Sequence, residues 1–448
     1  MPVPAADTPF AFPAIHKSTL PNGLSVWSVR HGAVPVATMV LLVRAGASGD
    51  PPNRPGLASL TGDMLDEGAG DRSALQVHDA LARIGAQFDT EVGPDATFLT
   101  LTTLSRFRPP GMALLSDLVA RPRFDTGEFE RVRALRMNRL RQLRDVASAT
   151  ADRAFATAVY GEHPYGHLAV GTMAALEHLT LDDVRDFHRR AYQPARAVLL
   201  VVGDLSHEQA REEAAASFGG WASDAEAGGV AARNVDAPRQ AADRLLLIDR
   251  PAAAQSELRI GHVAVSRQTP DYHALVVANL VLGGQFVSRL NMNLREHKGY
   301  TYGARSWFEF RLGPGPFQMS ASVQTEATAP AIVEAIGEMT ALRGARPITP
   351  TELETARATL TRGYPRNFET ADQIGRSLAQ LALYDLPDDY FATFVPKVAA
   401  LELAEVQGAA SRNLHPDRVV TVIVGDAEKV GPTLGVLNLG PPVQTAPP

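Results

Sequence analysis

The chain has 448 residues and a formal net charge of -6, with 45% hydrophobic and 21% charged residues. This length predicts two to four domains rather than one core, and the mild acidity excludes a general attraction to nucleic acid or acidic membranes. The sequence contains no cysteine, which excludes disulfides and a thiol nucleophile and leaves the redox compartment undecided.

Residues 1–10 lack a basic segment followed by an apolar run, so they do not read as a signal peptide as written. We therefore expect a cytoplasmic protein; a periplasmic location would require the removal of an earlier signal segment. No apolar run approaches the roughly 18 residues of a membrane helix, so no membrane partner is expected.

The first elements of the chain are predicted to be strands. The Leu-Pro-Asn-Gly sequence of residues 20–23 predicts a turn before a strand at 24–29. A second strand is predicted at 36–43, just after a proline that can tolerate its missing N–H there, and a third at 98–104, where side chains alternate. Strands followed by helices and a closing strand predict α+β lobes with mixed sheets.

Residues 128–143 are predicted to form a helix that is rich in arginine, and Arg136 interrupts its apolar stripe. The arginines could form a phosphate-binding face. The favoured interpretation is a solvated helix in which Arg136 snorkels or pairs with a partner's acid.

The histidines of the first half do not predict a replacement metal site. His163 and His167 are four residues apart, but Pro164 and Gly166 lie between them, so the two are not expected to share a helix face. His188 is interpreted as a packing or capping residue.

The two halves of the sequence repeat one another. Residues 191–204 and 413–426 both end in Val-Gly-Asp after an apolar strand, and Pro194 and Pro416 are 222 positions apart, as are Asp204 and Asp426. This repeat predicts homologous lobes at residues 15–222 and 243–435. The small, polar residues 223–242 predict an inter-lobe linker, and the proline-rich residues 441–448 predict a disordered tail.

The most informative segment lies in the second half, at residues 281–304. A Gly-Gly turn at residues 283–284 precedes a predicted helix on which Val287, Leu290 and Leu294 recur at helical spacing. Lys298-Gly299 has the chemistry of a helix C-terminus.

A strand is predicted to follow that helix. Five alternating residues are expected on one strand face, namely Tyr302, Ala304, Ser306, Phe308 and Phe310. Arg295 then lies on the last helical turn and Tyr302 at the start of the strand. Because the chain reverses between them, both side chains can donate hydrogen bonds to one carbonyl oxygen.

This segment closely resembles the Arg/Tyr motif of the insulinase-like (pitrilysin-type) metallopeptidases, the inverzincins. In that family the two residues bind the substrate backbone near the scissile bond, so the resemblance implies this role for Arg295 and Tyr302. Gly283, Gly284 and Phe286 are also expected to bind the substrate. For the Gly283-Gly284 turn the alternatives are a close approach of the peptide backbone and a tight turn needed for packing. The resemblance extends from about residue 15 to 435 and implies two homologous lobes, each an α/β sandwich with a mixed sheet.

The zinc motif of the family is missing from this chain. Active members carry His-x-x-Glu-His on a helix, and the corresponding positions here hold Ser59, Gly62 and Asp63. The third ligand of the family, a glutamate, would fall near residues 137–141, where there is no carboxylate. The resemblance therefore implies no catalytic zinc in this chain.

Some bacterial members of the family divide the work between two subunits, one with the zinc motif and one with the Arg/Tyr pair. The sequence is similar to the second kind. It predicts a zinc-less subunit of a heterodimeric zinc oligopeptidase that is inactive alone, binds peptide substrates, and relies on a homologous partner carrying the zinc. An inert scaffold subunit and a peptide-binding homodimer are the alternatives, and the intact Arg/Tyr pair argues against a scaffold.

Overall fold

The structure is a computed structural model that describes residues 11–32, 34–224 and 244–446. All but the first two residues of the predicted linker, residues 223–242, lie outside the described residues. The predicted lobe boundaries therefore stay a prediction.

The structure contains fourteen strands among the described residues: β1 (Ile15–Thr19), β2 (Ser25–Arg30), β3 (Val36–Val43), β4 (Gly68–Ala69), β5 (Arg72–Ser73), β6 (Gln87–Val92), β7 (Thr97–Leu104), β8 (Ala197–Gly203), β9 (Leu245–Asp249), β10 (Gln255–Val263), β11 (Thr301–Phe308), β12 (Pro316–Gln324), β13 (Val420–Gly425) and β14 (Val443–Thr445).

The helices of the first half are α1 (Leu57–Asp63), α2 (Ala74–Arg83), α3 (Arg108–Ala120), α4 (Thr126–Arg144), α5 (Ala147–Tyr160), α6 (Met173–His178), α7 (Leu181–Ala191) and α8 (His207–Phe218). The helices of the second half are α9 (Tyr272–Asn279), α10 (Arg289–Asn291), α11 (Thr328–Arg343), α12 (Pro350–Arg362), α13 (Ala371–Tyr384), α14 (Tyr390–Ala400), α15 (Leu403–Asn413) and α16 (Ala427–Val430). Two π-helical segments, Leu280–Gly284 and Met292–His297, flank α10.

Each half builds one six-stranded sheet. The strand order is β1-β2-β8-β3-β7-β6 in the first and β11-β12-β10-β13-β9-β14 in the second. Among the described strands, the parallel pair of the first sheet, β2 with β8, corresponds to β9 with β13 in the second, where β14 also pairs with β9 in parallel. The shared order follows the sequence repeat, and the mixed sheets with their helices confirm the predicted α+β fold.

Each half also lends one helix to the sheet of the other half. Helix α13 packs on β3 and β8, and α5 packs on β10 and β13. Arg44, just after β3, pairs with Asp385 at the end of α13 at 2.6 Å. Arg259 of β10 pairs with Asp152 of α5, also at 2.6 Å. The two lobes are therefore joined through both sheets as well as along the chain.

The stretch Tyr272–His297 has the length and hydropathy of a membrane span. In the structure it is broken at residues 285–288, and its leucines Leu282, Leu290 and Leu294 are fully buried in the core of the second half. This burial explains its apolar composition. Strand β14 lies within the segment predicted to be disordered and pairs with β9, so that prediction is wrong for residues 443–445.

Candidate functional site

Helix α1, which carries the degenerate zinc motif, is held at its start by a buried carboxylate. Asp50 accepts hydrogen bonds from the backbone N–H groups of Gly56 at 2.6 Å and Ala58 at 2.7 Å. The Nε2 atom of His167 lies 3.1 Å from the same carboxylate and 3.1 Å from the carbonyl oxygen of Ala47. His167 therefore braces the loop that opens α1, and this accounts for its place in the sequence without a metal.

Arg136 of α4 fills the space between the two positions where the family carries its histidines. Its Nε donates to Asp63 Oδ2 at 3.0 Å and its Nη2 donates to Ser59 Oγ. The side chain of Arg136 is only 11% exposed. Arg136 was predicted either to extend its charged end to solvent or to pair with an acid of a partner. Both predictions are wrong, because Arg136 pairs with Asp63 of this chain.

The charges around this pocket are balanced between α1 and α4. Burial raises the pKa of Asp63, and the neighbouring Arg136 opposes that rise. Burial also raises the pKa of Asp66, helped by the charge of Glu67. Glu67 forms an ion pair with Arg131, one turn of α4 before Arg136. Arg136 therefore neutralises Asp63 at the end of α1 and Arg131 neutralises Glu67 just after it, which accounts for part of the arginine run without a phosphate.

The donor set of this pocket does not fit zinc. Serine and glycine are not zinc ligands, and a positively charged guanidinium occupies the face of α1 that a metal would use. Within the described residues, no group of three or more histidine, aspartate or glutamate side chains is arranged to hold a metal ion.

Gly62 takes the position of the family's catalytic glutamate, and its surroundings are closed. A β-carbon at this position would lie 3.1 Å from methyl groups of Thr90 and Val92 on β6. A side chain at this position would therefore require these methyl groups to shift by a few tenths of an ångström. The pocket has lost the base, and two methyl groups crowd its position.

The Gly-Gly motif of the second half ends a π-helical segment that packs against β11. A β-carbon at Gly283 would lie 2.4 Å from Ser306 Oγ and 2.7 Å from Leu290, so only glycine fits. Gly283 is buried, whereas Gly284 is exposed. The place of Gly283 thus favours packing over contact with a substrate, while the predicted substrate contacts of Gly284 and Phe286 stay predictions.

Arg295 lies in the π-helical segment Met292–His297 and not on a regular α-helix. This segment ends where the Gly299 N–H bonds to the Arg295 carbonyl at 3.1 Å and the Tyr300 N–H bonds to the Leu294 carbonyl at 2.9 Å. Gly299 adopts a left-handed φ of 66°, which suits glycine and turns the chain into β11. The predicted helix stop and strand start are therefore where the motif places them.

The side chains of the Arg/Tyr motif are displayed to solvent. Tyr302 is 88% exposed and Phe286 is 59% exposed. The guanidinium carbon of Arg295 lies 4.7 Å above the centre of the Phe286 ring, and its Nε pairs at 3.2 Å with the exposed Glu296. Val287 was predicted to lie on the apolar helix face, but it precedes α10 and is 58% exposed, so that prediction is wrong.

A β-bulge sets the direction of Tyr302. The pairing of β11 with β12 shifts between Thr301 and Ala304, so three steps on β11 match two on β12. Ala304 and Ser306 point into the core, whereas Tyr302 points out. The prediction that all five alternating residues share one face is therefore wrong, because the bulge breaks the alternation.

Asn291 connects the two walls of the motif. Its side-chain amide donates to the Phe286 carbonyl at 2.7 Å, and its oxygen accepts from the Ala304 N–H at 3.3 Å. The side chain of Thr301 supports the bulge by accepting from the Gly303 N–H at 3.1 Å and donating to the Ser322 carbonyl at 2.6 Å. Sequence reasoning missed Asn291, although its place one turn before Arg295 was the available signal.

Arg289 anchors α10 beneath this surface. Its buried guanidinium forms a two-pronged pair with Glu352 of α12, with both distances at 2.7 Å, and donates to the Pro347 carbonyl at 2.8 Å. Burial alone would raise the pKa of Glu352, but hydrogen bonds from Arg289 and Thr349 lower that pKa to about 2. Arg289 therefore has a structural role.

His188 is a packing residue, as predicted. Its Nε2 lies 2.8 Å from the Val119 carbonyl, and its ring stacks on Tyr192 at 4.8 Å. Burial lowers the pKa of this histidine to about 4, so it is neutral near pH 7.

Two family profiles match the chain in succession. One, described as insulinase (peptidase family M16), matches residues 26–172, and the other, described as the peptidase M16 inactive domain, matches residues 178–360. Together they cover most of the chain.

Individual relatives agree with these profiles. An uncharacterized zinc protease of Mycobacterium leprae is 24% identical over 81% of this chain and 81% of its own length. A probable mitochondrial-processing peptidase subunit beta of Schizosaccharomyces pombe is 23% identical over 64% of this chain and 65% of its own.

Solved structures share the fold. A peptidase M16 inactive domain from Pseudomonas fluorescens superimposes with a TM-score of 0.86 at 25% identity, covering 92% of this chain and 98% of that one. A protease from Helicobacter pylori reaches the same TM-score at 20% identity, over 92% and 100% of the two chains. With the Arg/Tyr motif and the repeated lobes, these matches show that the chain belongs to the M16 family of insulinase-like peptidases.

Proposed function

We propose that this chain is the zinc-less subunit of a heterodimeric zinc oligopeptidase, and that Arg295 and Tyr302 bind the backbone of a peptide held at the partner's zinc. The partner we propose is a homologous subunit with an intact His-x-x-Glu-His motif. The observation that carries the proposal is the contrast between a filled metal pocket on α1 and an Arg/Tyr surface left open on β11.

The exposure of the motif supports a binding role. A tyrosine ring that is 88% exposed contributes little to the stability of the chain, and Phe286 and Val287 beside it leave further apolar area in water. Exposed apolar groups near hydrogen-bond donors are typical of surfaces that another molecule covers. A peptide, a partner subunit, or both together fit this description.

The chemistry of the two side chains supports the role of backbone binding. Arg295 carries a permanent positive charge and several N–H donors, and Tyr302 carries one O–H donor. Hydrolysis of a peptide bond develops negative charge on the carbonyl oxygen, and donors already in position stabilise that charge. The zinc of the partner would supply activated water; this chain would supply donors.

The surroundings of Arg295 suit such a donor. Its contacts within the chain are an exposed glutamate and the face of an aromatic ring, at 3.2 Å and 4.7 Å. A cation–π contact holds the side chain without using its N–H groups. The outer edge of the guanidinium is thereby presented to a ligand.

A reconstitution assay tests the proposal. Cleavage of a fluorogenic oligopeptide is measured with this chain alone, with a zinc-motif homologue from the same source alone, and with an equimolar mixture. We expect cleavage only in the mixture and zinc only in the homologue. Arg295→Ala and Tyr302→Phe should each lower kcat/KM of the mixture about 10²–10³-fold, as expected for loss of a donor to the oxyanion.

Two matched controls come from the same strand region. Arg305→Ala removes an exposed arginine of β11, and Tyr300→Phe removes a phenol two residues before Tyr302; both should keep the activity of the mixture. Activity and stoichiometric zinc in this chain alone would contradict the proposal. A mixture that binds peptide without cleaving it would favour the peptide-binding alternative, and a complex that does neither would favour the scaffold.

A further inference from the structure

The degenerate metal pocket retains a cation, supplied by the chain itself. We propose that the guanidinium of Arg136 takes the place of a metal ion in this pocket and keeps divalent metals out of it. The inference does not depend on the proposed function, because it concerns a property of this chain alone.

The acids at the end of α1 and just after it favour such a cation. Asp63 is the last residue of the helix, Asp66 and Glu67 follow within four residues, and all three are partly exposed. Carboxylates crowded together with little solvent repel one another unless a positive charge lies among them. Helix α4 supplies that charge twice, with Arg131 at Glu67 and Arg136 at Asp63.

The short side chains at 59 and 63 match the size of a guanidinium. Arg136 reaches Asp63 at 3.0 Å and Ser59 with a second nitrogen, so one planar group spans both positions. Zinc bonds to nitrogen or oxygen are shorter, about 2.0–2.2 Å, and a catalytic site needs three protein ligands that converge on one ion. Two histidines at 59 and 63 would enter the volume of the guanidinium.

The residues at positions 59, 63 and 136 therefore depend on one another. Arg136 fits small or acidic neighbours, and of these neighbours only Asp63 could be a zinc ligand, where a catalytic zinc needs three. An ordinary ion pair between two helices does not occupy the place of a metal ion. Replacing its residues would therefore not create a site that binds zinc. The proposal predicts instead that the pocket exchanges its guanidinium for zinc when both ligand positions and Arg136 change together.

The triple variant S59H/D63H/R136E, prepared as the full chain, tests this exchange. The variant places two imidazoles and a carboxylate around the pocket. The sequence comparison puts the family's carboxylate near residues 137–141, but the α4 residue that bonds to Ser59 and Asp63 in the structure is Arg136, whereas Arg139 is exposed. After dialysis against zinc and then buffer, we expect about one zinc per chain by mass spectrometry of the metal, and a melting temperature that rises with added zinc. The matched control S59H/D63H/R139E places its new carboxylate on an exposed position of α4 and retains Arg136. It should bind no zinc, like the wild type.

A second measurement guards against a triple variant that fails to fold. R136Q leaves Asp63 without its cation, and D63N/R136Q removes both charges. We expect R136Q to lower the melting temperature and D63N/R136Q to recover part of that loss. A folded triple variant without zinc, or zinc in the R139E control, would overturn the proposal. So would a D63N/R136Q chain no more stable than R136Q.

Discussion

The two lobes contain two surfaces that are built in opposite ways. In the first, Ser59 and Asp63 of α1 bond to the nearly buried Arg136 of α4, so the pocket is closed to a ligand although the side chain of Asp63 is 41% exposed. In the second, the side chains of the Arg/Tyr motif are exposed, and the phenol of Tyr302 has no hydrogen bond within the part of the chain that the structure describes. The first arrangement contributes to stability, and the second leaves hydrogen-bond donors available to another molecule.

This contrast predicts which property each surface controls. Substitutions in the open surface should affect activity with little effect on folding. Substitutions in the closed pocket should affect folding and leave the peptide-binding groups in place.

The largest effect is expected from removing both exposed donors together. R295A/Y302F in the reconstituted pair should lower kcat/KM by about 10³-fold or more, because two donors to one developing oxyanion are lost. The melting temperature of the isolated chain should stay within about one degree of wild type, since exposed side chains contribute little to stability. A fall of many degrees would mean that the motif is part of the core, and the comparison between the lobes would fail.

The reverse result is expected in the closed pocket. Arg136→Met should destabilise the chain by about 2 kcal/mol in urea unfolding, less than the roughly 3–5 kcal/mol typical of a fully buried pair, because Asp63 remains partly exposed. Arg139→Met, an exposed position on the same helix, is the control and should change stability little. Equal stability of the two variants would show that the pocket is not a closed ion-pair site.

Sequence reasoning reached the fold and the motif, and it missed the contacts within the chain that hold the motif. The repeat at Val-Gly-Asp and the strand patterns were sufficient for two mixed sheets, because burial imposes those patterns locally. The exchange of α5 and α13 between the sheets could not be predicted, since it depends on which helix covers which sheet. The bulge at Tyr302 was missed for a similar reason: Thr301 and Asn291 stabilise it from opposite sides, and only one of them is a neighbour in sequence.

Asn291 offers a finer test of how the open surface is positioned. In Asn291→Asp an ionised carboxylate would face the Phe286 carbonyl in place of a donor, so we expect the reconstituted kcat/KM to fall about tenfold near pH 8. Burial raises the pKa of a carboxyl group, and the protonated form can donate again. The ratio of variant to wild-type activity should therefore rise as the pH is lowered toward about 5.5.

The pH dependence separates positioning from general damage. A variant that only loosens the fold would show a ratio that stays level or falls with acid. Asn293→Ala is the matched control, because this asparagine lies only two residues further along, on the π-helical segment that carries Arg295, but its amide bonds to Glu334 and Glu338. Its activity ratio should not depend on pH.

The smallest effect is expected at the brace beneath the open surface, the pair of Arg289 and Glu352. The pKa of Glu352 is lowered to about 2, so the pair stabilises the chain fully above the ordinary pKa of about 4.3 and loses that contribution as the pH falls toward 2. The free energy of unfolding of the wild type should exceed that of Glu352→Gln by about 1–2 kcal/mol at pH 7, and this difference should shrink between pH 4.5 and 3. Glu354→Gln, an exposed neighbour on α12, should show no such trend. If the difference in unfolding free energy between wild type and Glu352→Gln did not depend on pH, Glu352 would not be the charged partner of Arg289. The exposed Arg/Tyr motif of the second lobe would then lack this ion pair as its internal support.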